Sequence, residues 1–251
     1  MRRAKIVATL GPATSTYATV RAIIDAGVDV ARLNLSHGDH AVHEISYANV
    51  RKAADDAGRA VAVLVDLQGP KIRLGKFEAG PHFLEVGDTF KITTDDILGT
   101  KDIVSTTFKG LPKDVQPGDF LLIDDGKVRV EVTEASDTVV TTRVVVAGNV
   151  SDNKGINLPG VAVNVPALSE KDEDDLRWAL RIGADLIALS FVRDAQDVQR
   201  VHFIMDEEGR RVPVIAKIEK PQAVEHLEEI VDAFDAIMVA RGDLGVEMPV
   251  E

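Results

Sequence analysis

Short apolar runs separated by longer amphipathic segments dominate both ends of this chain. From Ala4 to Gly69, and again from Ala167 to Glu251, the runs are Ile6–Leu10, Val28–Leu35, Val61–Leu67, Leu186–Val192, Val212–Ile218 and Ala236–Ala240. Between them lie segments of helical length near Thr16–Ala26, Ala41–Ala57, Glu170–Ile182, Ala195–Glu208 and Gln222–Ala233. Runs that are apolar on both alternating faces predict strands covered on both sides, as in parallel sheets. Strand and helix in strict alternation predict βα units around such a sheet. Gly27, Gly58, Gly183 and Gly209 each follow a helical pattern, where a left-handed residue ends a helix. Ser169 and Asp194 are predicted N-caps, and the acidic run Glu170–Asp175 suits a solvated first turn.

The middle of the chain has another rhythm. Val86-Gly87-Asp88, Gln116-Pro117-Gly118-Asp119, Asp124-Asp125-Gly126-Lys127 and Asn153-Lys154-Gly155 punctuate β-rich runs such as Phe120–Ile123, Val128–Val132 and Val139–Val146. Asp125-Gly126 between two such runs is a hairpin signal. The expected organisation is therefore residues 1–70 as strands 1–3 of a barrel, 71–166 as an inserted all-β domain, and 167–251 as strands 4–6. An insertion at a carboxyl-end loop of a barrel is expected to serve as a lid.

Composition narrows the classes. At 251 residues and 45% apolar content the chain can bury a substantial core. A net charge of −12 argues against a nucleic-acid-binding surface, though a local basic cluster can still hold phosphates. The absence of cysteine removes disulfides and thiolate metal sites. The basic start, Met1-Arg2-Arg3-Ala4-Lys5, leads into an apolar stretch that stops at Gly11-Pro12, too short for a signal peptide. No run has the length of a membrane span, so a cytoplasmic protein without membrane contacts is expected.

Candidate chemistry gathers where apolar runs break into charge. Val214-Ile215-Ala216 leads into Lys217-Ile218-Glu219, and Ile237–Ala240 into Arg241-Gly242-Asp243. Side chains alternate along a strand, so Lys217 and Glu219 point one way and Ile218 the other. Charges at the ends of buried strands are costly unless they hold something charged, and in α/β barrels that end carries active sites. Arg32, Asn34 and Ser36 likewise share one face of the second run. Asp66, before a Gly69-Pro70 turn and the cations Lys71 and Arg73, reads equally well as a satisfied strand-end carboxylate and as a site residue. His37, His40 and His43 lack the thiolate or paired carboxylates that would complete a metal set. Neither a Gly-x-x-x-x-Gly-Lys-[Ser/Thr] loop nor a Gly-x-Gly-x-x-Gly after a strand is present.

Taken in order, Lys5–Pro12 (KIVATLGP), Ala31–Gly38 (ARLNLSHG), Asp66–Gly75 (DLQGPKIRLG), Lys154–Gly160 (KGINLPG), Ile215–Glu219 (IAKIE) and Met238–Glu247 (MVARGDLGVE) resemble the pyruvate kinase family, bacterial type, across the whole chain. The resemblance implies a TIM-type (β/α)8 barrel, here partial with six of eight strands, carrying an inserted all-β barrel lid. It also implies phosphoryl transfer from phosphoenolpyruvate to ADP, giving pyruvate and ATP. By the same resemblance Glu219 and Asp243 bind Mg2+ or Mn2+, and Arg32 and Lys217 flank the phosphoryl group. Gly242 meets the substrate carboxylate through its amide. Arg73, His37 and Lys154 fall where the family contacts the nucleotide. Asn34, Ser36, Asp66 and the Leu67 carbonyl match its potassium site.

Two departures qualify that expectation. Lys71 stands where potassium-dependent members carry Glu, which implies that K+ is not required. The chain also ends at Val250-Glu251, after the sixth strand. Family members continue through two further strands, a threonine-bearing loop and a carboxy-terminal domain, and are typically homotetramers. A fragment is therefore expected, active with the rest of its chain. The alternative is a non-catalytic piece retaining metal or phosphate binding. A metal-dependent aldolase or lyase on a similar barrel would explain Glu219 and Asp243 but not Lys154 or the β-insert.

Overall fold

The computed structural model describes residues 3–161 and 165–248; Met1-Arg2 and the terminal Val250-Glu251 lie outside the described residues. The chain divides into two compact units, one of residues 1–70 and 167–240, the other of residues 71–166 and 241–251.

In the first unit six parallel strands run side by side in chain order. They are β1 (Val7–Thr9), β2 (Val30–Asn34), β3 (Ala62–Asp66), β12 (Leu186–Leu189), β13 (Val214–Ile218) and β14 (Ala236–Val239). The helices α1 (Tyr17–Asp25), α2 (His40–Ala57), α4 (Glu170–Ile182) and α5 (Asp197–Glu207), and the pair α6 (Pro221–Glu225) and α7 (Leu227–Ala233), alternate with them. The central strands are apolar on both faces and fully covered: Val63, Val65, Ile187, Ala188 and Val214 have no exposed surface. The two outer strands are half-open, with Val7, Ile237 and Val239 exposed. This is the α/β, partial (β/α)8 architecture the motifs imply, with six of eight strands.

Local signals explain most boundaries. The Ser169 side chain accepts from the Asp172 amide and Asp172 returns the bond, closing a capping box at the start of α4. Gly58 and Gly183 end α2 and α4 in left-handed conformation. Asp194 does not cap α5. Its carboxylate accepts from the Gln196 amide in a tight turn of its own, and the helix starts after Gln196. The helix expected at Gln222–Ala233 is broken at His226, whose backbone (φ −101°, ψ 20°) leaves the helical region.

The second unit is all-β apart from two short helices, α3 (Leu111–Asp114) and α8 (Arg241–Glu247). A six-stranded sheet has the order β11-β7-β8-β9-β5-β6, where β5 is Thr89–Thr93, β6 Ile103–Ser105, β7 Phe120–Ile123, β8 Val128–Ala135, β9 Val139–Val146 and β11 Ile156–Asn157. A separate pair joins β4 (His82–Leu84) to β10 (Gly148–Val150). Leu74, Phe90, Ile92, Leu121, Ile123, Val130 and Val140 form its dry core. The hairpin at 124–127 turns through Asp124 (φ 53°), Asp125 (φ 57°) and Gly126 (φ 85°), residue types that tolerate the left-handed region. No helix among the described residues is long and apolar enough to cross a membrane.

Candidate active site

The carboxyl ends of β2, β3, β12 and β13 bring together four charges. Asp66 closes β3 and has no exposed surface. One of its oxygens, Oδ2, accepts from Arg32 of β2, at 2.7 Å from Nε and 2.5 Å from a terminal nitrogen. The other, Oδ1, faces Lys217 Nζ of β13 at 3.2 Å. Lys217 also pairs with Glu219 Oε1 at 2.9 Å and donates to Ser190 Oγ at 2.7 Å. Arg32 reaches back to Thr9 of β1, donating to its hydroxyl at 2.7 Å. Two cations and two carboxylates thus alternate across neighbouring strands and cancel in charge.

The arrangement follows from strand geometry. Arg32 is level with Thr9 and Asn34 with Asp66 in the parallel register, so side chains of like parity meet on one face. Burial alone would depress the Lys217 pKa, but the adjacent Glu219 and Asp66 carboxylates outweigh it and the net shift is upward. The ammonium is therefore held charged. Its three donors meet three acceptors, which leaves none to rotate away.

A turn of unusual backbone supports this cluster. Phe191, just past β12, has φ +56°. For a bulky residue that region costs roughly 1–3 kcal/mol and persists only where the surroundings impose it. In this conformation its amide donates to Glu219 Oε2 at 2.8 Å. Gly69 (φ +74°) packs against the same turn: a Cβ there would lie 2.7 Å from the Phe191 ring and 2.8 Å from Ser190 Cβ. The amide of Gly69 is taken by the buried Asp172 of α4 at 2.9 Å.

The other predicted residues fall as follows. Asn34 Oδ1 accepts from the Ser36 amide at 3.1 Å, and the Leu67 carbonyl accepts from the Ser190 hydroxyl at 2.7 Å. Asn34, Ser36, Asp66 and Leu67 thus sit at the adjacent ends of β2 and β3. His37 is exposed, and its carbonyl is bonded by His43 Nε2 at 2.8 Å. His40 pairs with Asp175 at 2.7 Å and stacks on Trp178. In the second unit, Arg73 lies opposite Gly155 in a β-bridge and donates to the Asn153 carbonyl at 3.0 Å. Lys154 is its neighbour there, paired with Asp124 at 3.0 Å. Gly242 and Asp243 start α8, where Asp243 faces Lys71 at 3.5 Å, and the buried Glu247 accepts from Asn157 at 3.0 Å.

Carboxylate oxygens are the donors that hard divalent cations take. The available ligands are carboxylate oxygens, and the described residues hold no group of three or more His, Cys, Asp or Glu able to enclose a metal.

The family described as pyruvate kinase, barrel domain, matches residues 1–251. The chain belongs to the pyruvate kinase family. It is 60% identical over 250 residues to the pyruvate kinase of Corynebacterium efficiens and 58% identical over 252 residues to that of Mycobacterium tuberculosis, covering all of this chain and 53% of each relative. It thus spans about half the length of the curated relatives it matches. A solved pyruvate kinase from Cryptosporidium parvum superimposes with a TM-score of 0.91 at 38% identity, covering 98% of this chain and 52% of that one.

Three residues of this cluster had no clear signal in the sequence. Ser190 and Phe191 end an ordinary apolar run, and no residue type announces the left-handed backbone of a phenylalanine. Thr9 is a β1 hydroxyl like any other. Only an apolar strand ending in Ser beside a later Lys-x-Glu hints at the first of them.

Proposed function

We propose that this chain is the amino-terminal portion of a phosphotransferase moving the phosphoryl group of phosphoenolpyruvate to ADP, with pyruvate and ATP as products. The observation that carries this reading is the Arg32–Asp66–Lys217–Glu219 cluster: two cations held rigid by shared carboxylates at the strand ends. Phosphoryl transfer needs little covalent help from protein and depends on positioned charge. Arg32 and Lys217, pinned by Asp66, supply preorganised positive charge for a phosphoryl group without reorganising during the reaction. Glu219 and Asp243 would hold the divalent ion, which would neutralise charge developing on the phosphoryl oxygens. The Gly242 amide would donate a hydrogen bond to the substrate carboxylate. Arg73, Lys154 and His37 would contact the nucleotide, with the all-β unit serving as lid.

Lys71 bears on the monovalent ion. Its ammonium stands beside Asp243, which supports turnover that does not require K+. Asn34, Ser36, Asp66 and the Leu67 carbonyl would otherwise hold that ion. A second reading, ligand binding without turnover, is favoured by the exposed apolar positions Val7, Ile237 and Val239 on the outer strands.

The test is pyruvate formation from phosphoenolpyruvate and ADP with Mg2+, comparing this chain with Glu219→Gln. Turnover lost in the variant supports the transfer and the ligand. Mn2+ and phosphoenolpyruvate binding without turnover supports the second reading, and neither turnover nor binding rejects both.

A further inference from the structure

The corner after β12 touches Lys217 of β13 and Glu219 just past that strand. Ser190 is buried, and its hydroxyl is used twice: it donates to the Leu67 carbonyl and accepts from Lys217 Nζ, each at 2.7 Å. The next amide, that of Phe191, donates to Glu219 at 2.8 Å, and the residue adopts φ +56°. The strain is held from the β3 side by Gly69, which has no room for a side chain against Ser190 and the Phe191 ring.

We propose that Ser190 and Phe191 are positioning residues: the Ser190 oxygen sets the direction of the Lys217 ammonium, and the Phe191 amide sets the rotation of the Glu219 carboxylate. This rests on the reading of Lys217 as a phosphoryl-facing cation and Glu219 as an ion ligand. The ammonium needs three acceptors to be fixed in rotation, and the carboxylates of Asp66 and Glu219 supply two of them. The carboxylate has Oε1 on Lys217, so a donor on Oε2 fixes its plane. One two-residue corner therefore couples the geometry of both groups. The phenylalanine side chain is secondary, since the backbone makes the contact.

The experiment uses the folded 251-residue chain with 15N-labelled lysine, read by NMR, together with Mn2+ titrations followed by water-proton relaxation. A hydrogen-bonded buried ammonium exchanges slowly enough to give its own signal, assigned here by its loss in Lys217→Met. The signal is expected in the parent and in Ser190→Thr, which keeps the hydroxyl, and to exchange at least tenfold faster in Ser190→Ala. Mn2+ affinity is expected to fall about tenfold in Glu219→Gln and severalfold in Ser190→Ala. It should stay within twofold in Phe191→Gly, which enters the left-handed region freely and keeps the amide. A folded Ser190→Ala chain with an unchanged ammonium signal overturns the proposal, as does a parent without that signal or a large loss of Mn2+ affinity in Phe191→Gly. If Glu219→Gln leaves Mn2+ affinity intact, the reading of Glu219 as an ion ligand falls, while the ammonium signal still decides the corner's hold on Lys217.

Discussion

Two networks of carboxylates and cations, one in each unit, are built on opposite terms. At the ends of β3 and β13, Asp66 and Glu219 are buried and each is shared by more than one donor. Around the β7–β8 hairpin, Asp124 holds the exposed Lys127 and the half-buried Lys154. The first network suffers desolvation and recovers it only while every member is present. The second is more open on its lysine side and its ion pairs are more strongly screened. A buried set is rigid and suits transition-state charge, whereas a half-open pair such as Lys154–Asp124 exchanges partners at lower cost.

The largest effect should follow from removing one member of the buried set. Lys217→Met strands Glu219 and Asp66 with one fewer cation, and breaking a buried pair this way costs about 3–5 kcal/mol. Urea unfolding should show that loss, and Lys217→Met combined with Glu219→Gln should recover part of it. A double variant less stable by the full sum of both singles would contradict the shared-counter-ion picture.

Within the parallel sheet the same contrast separates centre from edge. Ile187 in β12 is wholly buried, so Ile187→Ala should cost about 2–5 kcal/mol. Ile237 in β14 is 42% exposed, and Ile237→Ala should stay within about 0.5 kcal/mol. Denaturation midpoints that move equally would mean that β14 is packed as tightly as the centre.

These contrasts also mark how far the sequence could be read. The alternating runs located the parallel strands because periodicity is a local property, and the Lys217–Glu219 parity followed from strand alternation alone. Asp66 stayed ambiguous for a different reason: its partners Arg32 and Lys217 lie on two other strands, and only the register brings them to it. The Ser190–Phe191 corner was hidden because positive φ in a phenylalanine is imposed by its surroundings. Asp194 looked like a helix cap since a turn and a helix start use the same residue type. The helix α8 was missed because Arg241-Gly242-Asp243 reads as the charged end of a strand, and Gly242 and Gly245 weaken any helical pattern.

The hairpin network should respond weakly. Asp124→Asn is expected to cost under about 1 kcal/mol, as solvent-screened ion pairs do. The Lys127 hydrogen bond is the main cause that holds the Asp124 carboxyl below its ordinary range; burial opposes it, and Lys154 adds to the lowering. A depressed carboxylate stabilises the fold above its unfolded pKa and stops doing so as pH falls through the folded value. The difference between parent and Asp124→Asn should therefore be full at neutral pH and close as pH drops below about 4. A gap that widens in acid would mean the hairpin is held by something other than this ionised carboxylate.

The smallest expected effect is none at all. Replacing K+ with Na+ at constant ionic strength should leave turnover, or phosphoenolpyruvate binding where turnover is absent, unchanged. A mobile ion is needed where carboxylates outnumber fixed cations near the substrate. Here Lys71 adds a covalently tethered ammonium 3.5 Å from Asp243, and a tethered charge needs no ion concentration to stay bound. Lys71→Glu reverses that term, so the variant should acquire a K+ requirement that the parent lacks. If the parent itself falls severalfold in Na+, the ammonium does not do the ion's work, and the oxygens of Asn34, Ser36, Asp66 and Leu67 regain their case as a cation site despite the donors they already accept.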